Sequence, residues 1–166
     1  MTALIRLLTT LPVLVLSLVL MILIGISFAQ VQSLIGGPLL DVMVSGDAAR
    51  ERLSEMSASE RQLHFWATVT LDTVYPLAYG ALLAGLALRF AGSQGPLAAM
   101  PALLTVVTDL FENLTQALAL QGLPQLIGLK TLLTPAKFAL FITAALIGAG
   151  LMLSAGLRDI LRQRRL

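Results

Sequence analysis

The sequence predicts an all-α protein, a polytopic bundle of four transmembrane helices, on three observations. Hydrophobic residues make up 57% of the 166-residue chain and charged residues only 12%, about half the charge of an ordinary soluble domain. Crossing the hydrocarbon takes about 20 mostly apolar residues, and four stretches of that kind occur. Inside the second and third stretches the polar side chains recur at helical spacing, one face of each helix, rather than at random.

The first helix is expected over residues 7–35, where no charge follows Arg6. Its small-residue run Ser27-Phe28-Ala29 imitates a signal-peptidase site, but the apolar segment is longer than the usual h-region, so a retained helix is expected. A polar loop over residues 41–57 follows, with a short surface helix in the acid- and arginine-rich part from Asp47 to Met56. The second helix, residues 58–90, starts at the capping box Ser57-Ala58-Ser59-Glu60 and ends after Arg89. Gly92, Gly95 and Pro96 break the chain before the third helix, residues 97–121. The apolar run Leu126 to Leu133 reads as a re-entrant or interfacial segment. Thr134-Pro135 reads as an N-cap followed by a first-turn proline, opening the fourth helix over residues 134–160 ahead of a basic tail. All of this makes one transmembrane domain of residues 1–166.

Several function classes drop out at once. The chain has no cysteine, which removes disulfides and thiolate chemistry, and a single histidine, His64, which removes a histidine-built metal cage within one chain. Net charge is +2, and no basic patch is interleaved with aromatics, so no nucleic-acid partner is expected. The 41–57 loop is too small for a soluble catalytic domain, so any chemistry sits in or against the membrane.

The polar stripes carry the functional reading. On the second helix His64, Thr68, Asp72, Tyr75 and Tyr79 fall within about 80° of one another at ~100° per residue, and on the third Thr105, Asp109, Glu112, Asn113 and Gln116 fall within about 100°. Both stripes should face the bundle interior. Asp72 lies eleven residues past Arg61 and seventeen before Arg89, near mid-bilayer. An ionised acid there costs on the order of 2.5–3.5 kcal/mol, so the acids should be protonated or paired with a cation. Lys137 is the candidate cation, either reaching inward to Glu112 or snorkelling outward, whereas Lys130 is expected at the interface. Pro76 removes the hydrogen bond to the Asp72 carbonyl, leaving a free backbone oxygen beside the carboxyl.

Each feature also has a plainer reading. The acids can be interhelical glue, hydrogen-bonded to Thr68, Tyr75 or Tyr79. His64 and Trp66 read as interfacial anchors, and the Asn113-Leu114-Thr115 sequon is inside a helix and is discarded. Small-residue pairs such as Ala81/Gly85 and Ala144/Gly148 mark close helix packing. Asp72, Asp109 and Glu112 make an oxygen-rich metal site conceivable, but their spacing is not diagnostic and no metal is assigned.

The strings Leu71-Asp72-Thr73-Val74-Tyr75-Pro76-Leu77-Ala78-Tyr79-Gly80 and Asp109-Leu110-Phe111-Glu112-Asn113, with a lysine early in the last helix, resemble an uncharacterised family of small bacterial four-helix integral membrane proteins. That resemblance implies the fold and a bacterial cytoplasmic membrane, and no activity. The likeness to the four-helix sterol-isomerase and sigma-2-receptor-like group is architectural only, since the aromatic- and histidine-containing site of that group is not legible here.

The functional expectation is an intramembrane acidic cavity that binds or moves a small cationic or amphiphilic molecule, a lipid or a proton. Asp72, Asp109 and Glu112 would form its floor, and Tyr75, Tyr79, Asn113, Gln116 and Lys137 its walls. The alternatives are an intramembrane acid–base enzyme on a lipid-soluble substrate, using Asp109 and Glu112, and an accessory subunit of a larger membrane complex. No cofactor is named by the sequence. Membrane lipid is the expected partner, with a homodimer or a larger membrane complex open. An even number of spans puts both termini on one side, and the basic tail leans that side towards the cytoplasm.

Overall fold

The computed structural model describes residues 3–163. Its helices are α1 (Ala3–Leu8), α2 (Leu11–Leu34), α3 (Gly46–Glu55), α4 (Ala58–Val69), α5 (Leu71–Phe90), α6 (Gly95–Leu120) and α7 (Lys130–Gln163). Four stretches are long and apolar enough to cross a membrane: α2, α4 with α5, α6 with the turn before it, and α7 with the turn before it. The four-helix expectation therefore stands. α5 and α6 form the central pair, α7 packs on both, and α2 lies along α4 and α5.

Three boundaries differ from the sequence expectation, each for a local reason. The first helix does not run through from residue 7. Thr9 and Thr10 turn their hydroxyls back onto the carbonyls of Ile5, Arg6 and Leu7, and Thr10 is extended, so α2 starts afresh with Pro12 in its first turn. The second span is broken at Thr70, whose hydroxyl bonds back to the Trp66 carbonyl at 2.6 Å. The third difference matters most. Residues 126–133 do not form a separate segment: a 3-10 turn over Pro124–Leu129 feeds directly into α7, which begins at Lys130, four residues before the expected N-cap. The Lys130 N–H bonds to the carbonyls of the preceding turn, so this helix start needs no side-chain cap.

Between α2 and α3 the chain folds over one end of the bundle. Gly36 takes the left-handed conformation (φ 64°) that ends α2, and the Arg52 side chain donates to the Ile35 carbonyl at 2.6 Å. The capping box at Ser57 forms as read, with Ser57 Oγ receiving the Glu60 N–H and the Glu60 carboxylate receiving the Ser57 N–H. α3 is not wholly a surface helix. Ala49 and Leu53 are buried with Ile35, Leu40, Met56, Leu120 and Ile127 in an apolar cluster that closes this end. Gly46 makes that closure possible: a Cβ there would stand 2.9 Å from the Gly128 Cα and carbonyl oxygen. A second apolar cluster, built from Tyr79, Leu83, Ala84, Ala87, Ala99, Ala102 and Ala144, fills the other side of the bundle. On α6 the buried polar residues, Thr105 to Gln116, lie between Ala99 and Ala102 of the second cluster and Ala119 and Leu120 of the first.

Candidate functional site

The stripes read from the sequence meet. α5 brings Asp72, Tyr75 and Tyr79, α6 brings Asp109, Glu112, Asn113 and Gln116, and α7 brings Lys130, Thr134 and Lys137. Glu112, Gln116, Lys130 and Thr134 are fully buried, and Asp72, Asp109, Asn113 and Lys137 nearly so.

Lys137 resolves inward. Its ammonium lies 2.6 Å from Asp41 Oδ1, 3.3 Å from Asp109 Oδ1 and 2.9 Å from Glu112 Oε2. Lys130 is not interfacial. It points into the bundle, forms an ion pair with Glu112 Oε1, and donates to Gln116 Oε1 at 3.3 Å. Its earlier helix start is the reason, because beginning α7 at residue 130 puts Lys130, Thr134 and Lys137 on one face at i, i+4 and i+7. Thr134 Oγ1 donates to the same Glu112 oxygen at 2.5 Å.

The network continues in both directions. Tyr79 donates its hydroxyl to Asp109 Oδ2 at 2.7 Å. On the other side Gln116 Nε2 donates to Thr68 Oγ1 at 2.8 Å, and His64 Nδ1 lies 3.3 Å from the same hydroxyl. His64 Nε2 accepts the Leu40 N–H at 3.0 Å, which makes the ring neutral with its proton on Nδ1. His64 is therefore no interfacial anchor: it is buried and fastens the loop to the bundle, whereas Trp66 beside it is exposed as a membrane-belt residue would be.

Pro76 does release the Asp72 carbonyl, but that oxygen is taken up within the protein rather than left open. The Asp72 carbonyl that the proline leaves free accepts the Asn113 side-chain N–H at 2.5 Å. The Asn113 sequon, with both Asn113 and Thr115 buried, is indeed inside the protein.

Besides Lys130, Thr134 and the pocket rings of Phe138 and Phe141, sequence reasoning missed Asp41. Asp41 stands on the 3-10 turn Leu40–Val42 after α2, partly exposed, and joins Asp72 and Asp109 so that one carboxylate oxygen from each lies within 4.8 Å of the others. Loop residues have no periodicity to read, and only its acidity on the chain between two spans could have marked it. A pocket of about 110 Å³ opens beside this group, lined by Asp41, Asp109, Lys137 and the aromatic rings of Tyr75, Tyr79, Phe138 and Phe141. Of the residues expected at a ligand, the structure places Tyr75, Tyr79, Asp109 and Lys137 on the pocket and leaves Asp72, Glu112, Asn113 and Gln116 off its lining. Edge-to-face contacts link Phe28, Tyr75, Tyr79 and Phe141 in series, which fixes the aromatic wall.

The charge balance follows. Four carboxylates (Asp41, Asp72, Asp109 and Glu112) face two ammonium groups, and Glu112 is matched by Lys130. With all of them ionised, the pocket side holds two carboxylates more than it has cations. With Asp72 and Asp109 buried, such an excess requires protons or a bound cation.

The fold and site thus define a multi-pass helical membrane protein with a buried acidic layer. No protein-family model matches the chain, and no match to it was found among curated proteins or solved structures. The resemblance drawn from the Asp72–Tyr79 and Asp109–Asn113 strings rests on those residues alone.

Proposed function

We propose that this protein binds the cationic group of a small amphiphilic molecule in its intramembrane acidic pocket. The observation that carries this reading is the pairing of excess carboxylate with aromatic walls. Asp41 and Asp109 supply the charge, and Tyr75, Tyr79, Phe138 and Phe141 supply ring faces that attract a cation and bury its carbon substituents. A volume of about 110 Å³ is well below the roughly 300–1,000 Å³ of pockets that enclose whole drug-sized ligands, so it suits a headgroup whose apolar tail stays in lipid. The enzymatic alternative loses support, because Glu112 is committed to Lys130 and Thr134 and is not free to act as acid or base with Asp109. Binding is favoured over transport, since a cavity of this size holds a headgroup but is no passage through four helices.

The cytoplasmic membrane of a bacterium is the proposed location, with both termini on the cytoplasmic face. Lys130 and Lys137, both buried in the acidic layer, no longer count as loop charges on the opposite side. Arg50, Arg52 and Arg61 remain there against Arg6, Arg89, Arg158 and Arg162, and the arginines of the tail beyond residue 163 add to the terminal side.

The test is native mass spectrometry in mild detergent, wild type beside Asp109→Asn. A discrete small-molecule adduct on the wild type that disappears in the variant is the expected result. An adduct of equal occupancy in both, or a bare wild-type chain, overturns the proposal, and a stoichiometric protein partner on both would favour the accessory-subunit reading.

A further inference from the structure

Among the described residues, two buried carboxylate oxygens in the acidic layer have no hydrogen-bond partner: Asp72 Oδ1 and Glu112 Oε2. Buried carboxylate oxygens are ordinarily satisfied, so each calls for a physical reason. Asp72 is the more telling. It is 3% exposed, belongs to the three-acid group with Asp41 and Asp109, and is held by its backbone carbonyl rather than by its carboxyl.

We propose that Asp41, Asp72 and Asp109 form a binding site for a hard divalent cation, with Lys137 as a resident counter-ion that gives way to it. This rests on the cation-binding reading of the same pocket and names a second kind of ligand for it. The donors are all carboxylate oxygens from three separate elements, within 4.8 Å of one another, a spacing compatible with ligand atoms about a common ion bound at roughly 2.0–2.6 Å. Oxygen-only ligation selects calcium, magnesium or manganese over softer metals. The charge agrees: with Glu112 matched by Lys130, the remaining three acids and Lys137 carry an excess of two negative charges, which one divalent ion cancels.

The second orphaned oxygen supplies the exchange. Lys137 bridges Asp41 Oδ1 and Asp109 Oδ1, and Glu112 Oε2 lies 2.9 Å from the same ammonium without being aligned for a hydrogen bond. A rotation of the lysine terminus gives up the two aspartates and makes that bond. The ion then takes the aspartates, and the layer as a whole, four carboxylates with two ammonium groups and one divalent ion, is neutral. Asp41 stands at the open end, on a turn with a partly exposed side chain, so the ion has an entry from the loop side.

The test is manganese titration of the detergent-solubilised full chain, followed by the loss of the free-ion signal in electron paramagnetic resonance. One manganese per chain, displaced by calcium or magnesium, is expected. Asp72→Asn should weaken it at least tenfold while elution volume and far-ultraviolet circular dichroism stay unchanged. Asp41→Asn, on the loop, should weaken it similarly and carries the test if Asp72→Asn does not fold. No saturable binding to the wild type, or unchanged binding in a folded variant, overturns the site and means that protons balance the excess charge. If manganese fails to bind while the mass-spectrometric adduct persists, this inference falls and the proposed function stands. If manganese binds and no adduct is found, the reverse holds.

Discussion

Replacing Glu112 with glutamine is the sharpest test of the buried layer. The residue is fully buried and holds Lys130, also fully buried, by an ion pair, with Thr134 donating to the same oxygen and Lys137 2.9 Å from the other. Glutamine keeps the shape and removes the charge. Lys137 retains Asp41 and Asp109, but Lys130 is left with neutral amide oxygens only, that of the new glutamine and that of Gln116 at 3.3 Å. Stranding one member of a buried pair costs about 3–5 kcal/mol. For a chain of this size, that corresponds to a fall in Tm on the order of 10 °C. Glu112→Gln, Lys130→Met and the double variant would be followed by thermal unfolding in detergent. The double variant should recover at least half of the loss, because neither charge is then left unmatched. A single-variant loss below about 1 kcal/mol, or losses that simply add in the double variant, would refute the argument that the two residues form one electrostatic unit.

Three further outcomes follow from particular contacts. Asn113→Ala should cost about 1–3 kcal/mol by unpairing the Asp72 carbonyl, and adding Pro76→Ala should restore part of it, since alanine brings back the backbone N–H that the carbonyl lacks; a thermal double-mutant cycle reads the coupling. His64→Ala should free the Leu40 N–H and speed hydrogen exchange across residues 39–43 without changing exchange in α6, as measured by mass spectrometry. Gly46→Val should push α3 away from Gly128 at a cost of about 1–3 kcal/mol, seen as faster proteolysis between residues 41 and 57.

Much of the bundle was legible because helical periodicity survives in a membrane protein as polar stripes. Asp72, Tyr75 and Tyr79 on α5, and Asp109, Glu112, Asn113 and Gln116 on α6, recur at helical spacing, and the fold turns each inward where that spacing puts it. Pro76 and the Ser57 capping box were readable for a related reason, since their effects reach only three or four residues. What was not legible depends on tertiary contact or on the absence of a local signal. Asp41 enters the site from a three-residue turn, where no repeat exists to orient it. Lys130 looked interfacial because Thr134-Pro135 is a good helix start by composition, yet the 3-10 turn at Pro124–Leu129 supplies the carbonyls that make an earlier start possible. His64 beside Trp66 reads as a belt pair until the loop folds back to offer its Leu40 N–H.

The order of these groups along the chain carries a consequence for synthesis. Asp41, Asp72, Asp109 and Glu112 all precede Lys130 and Lys137, and the chain leaves the ribosome from its N-terminus. The second and third spans therefore leave the ribosome ahead of either lysine that matches them. An ionised acid at mid-span costs on the order of 2.5–3.5 kcal/mol to insert, so the nascent acids enter as neutral carboxyls or wait beside the insertion machinery. Arrival of α7 is then the event that lets protons leave the layer. A chain cut before residue 130 would hold these acids without the two lysines that pair with them.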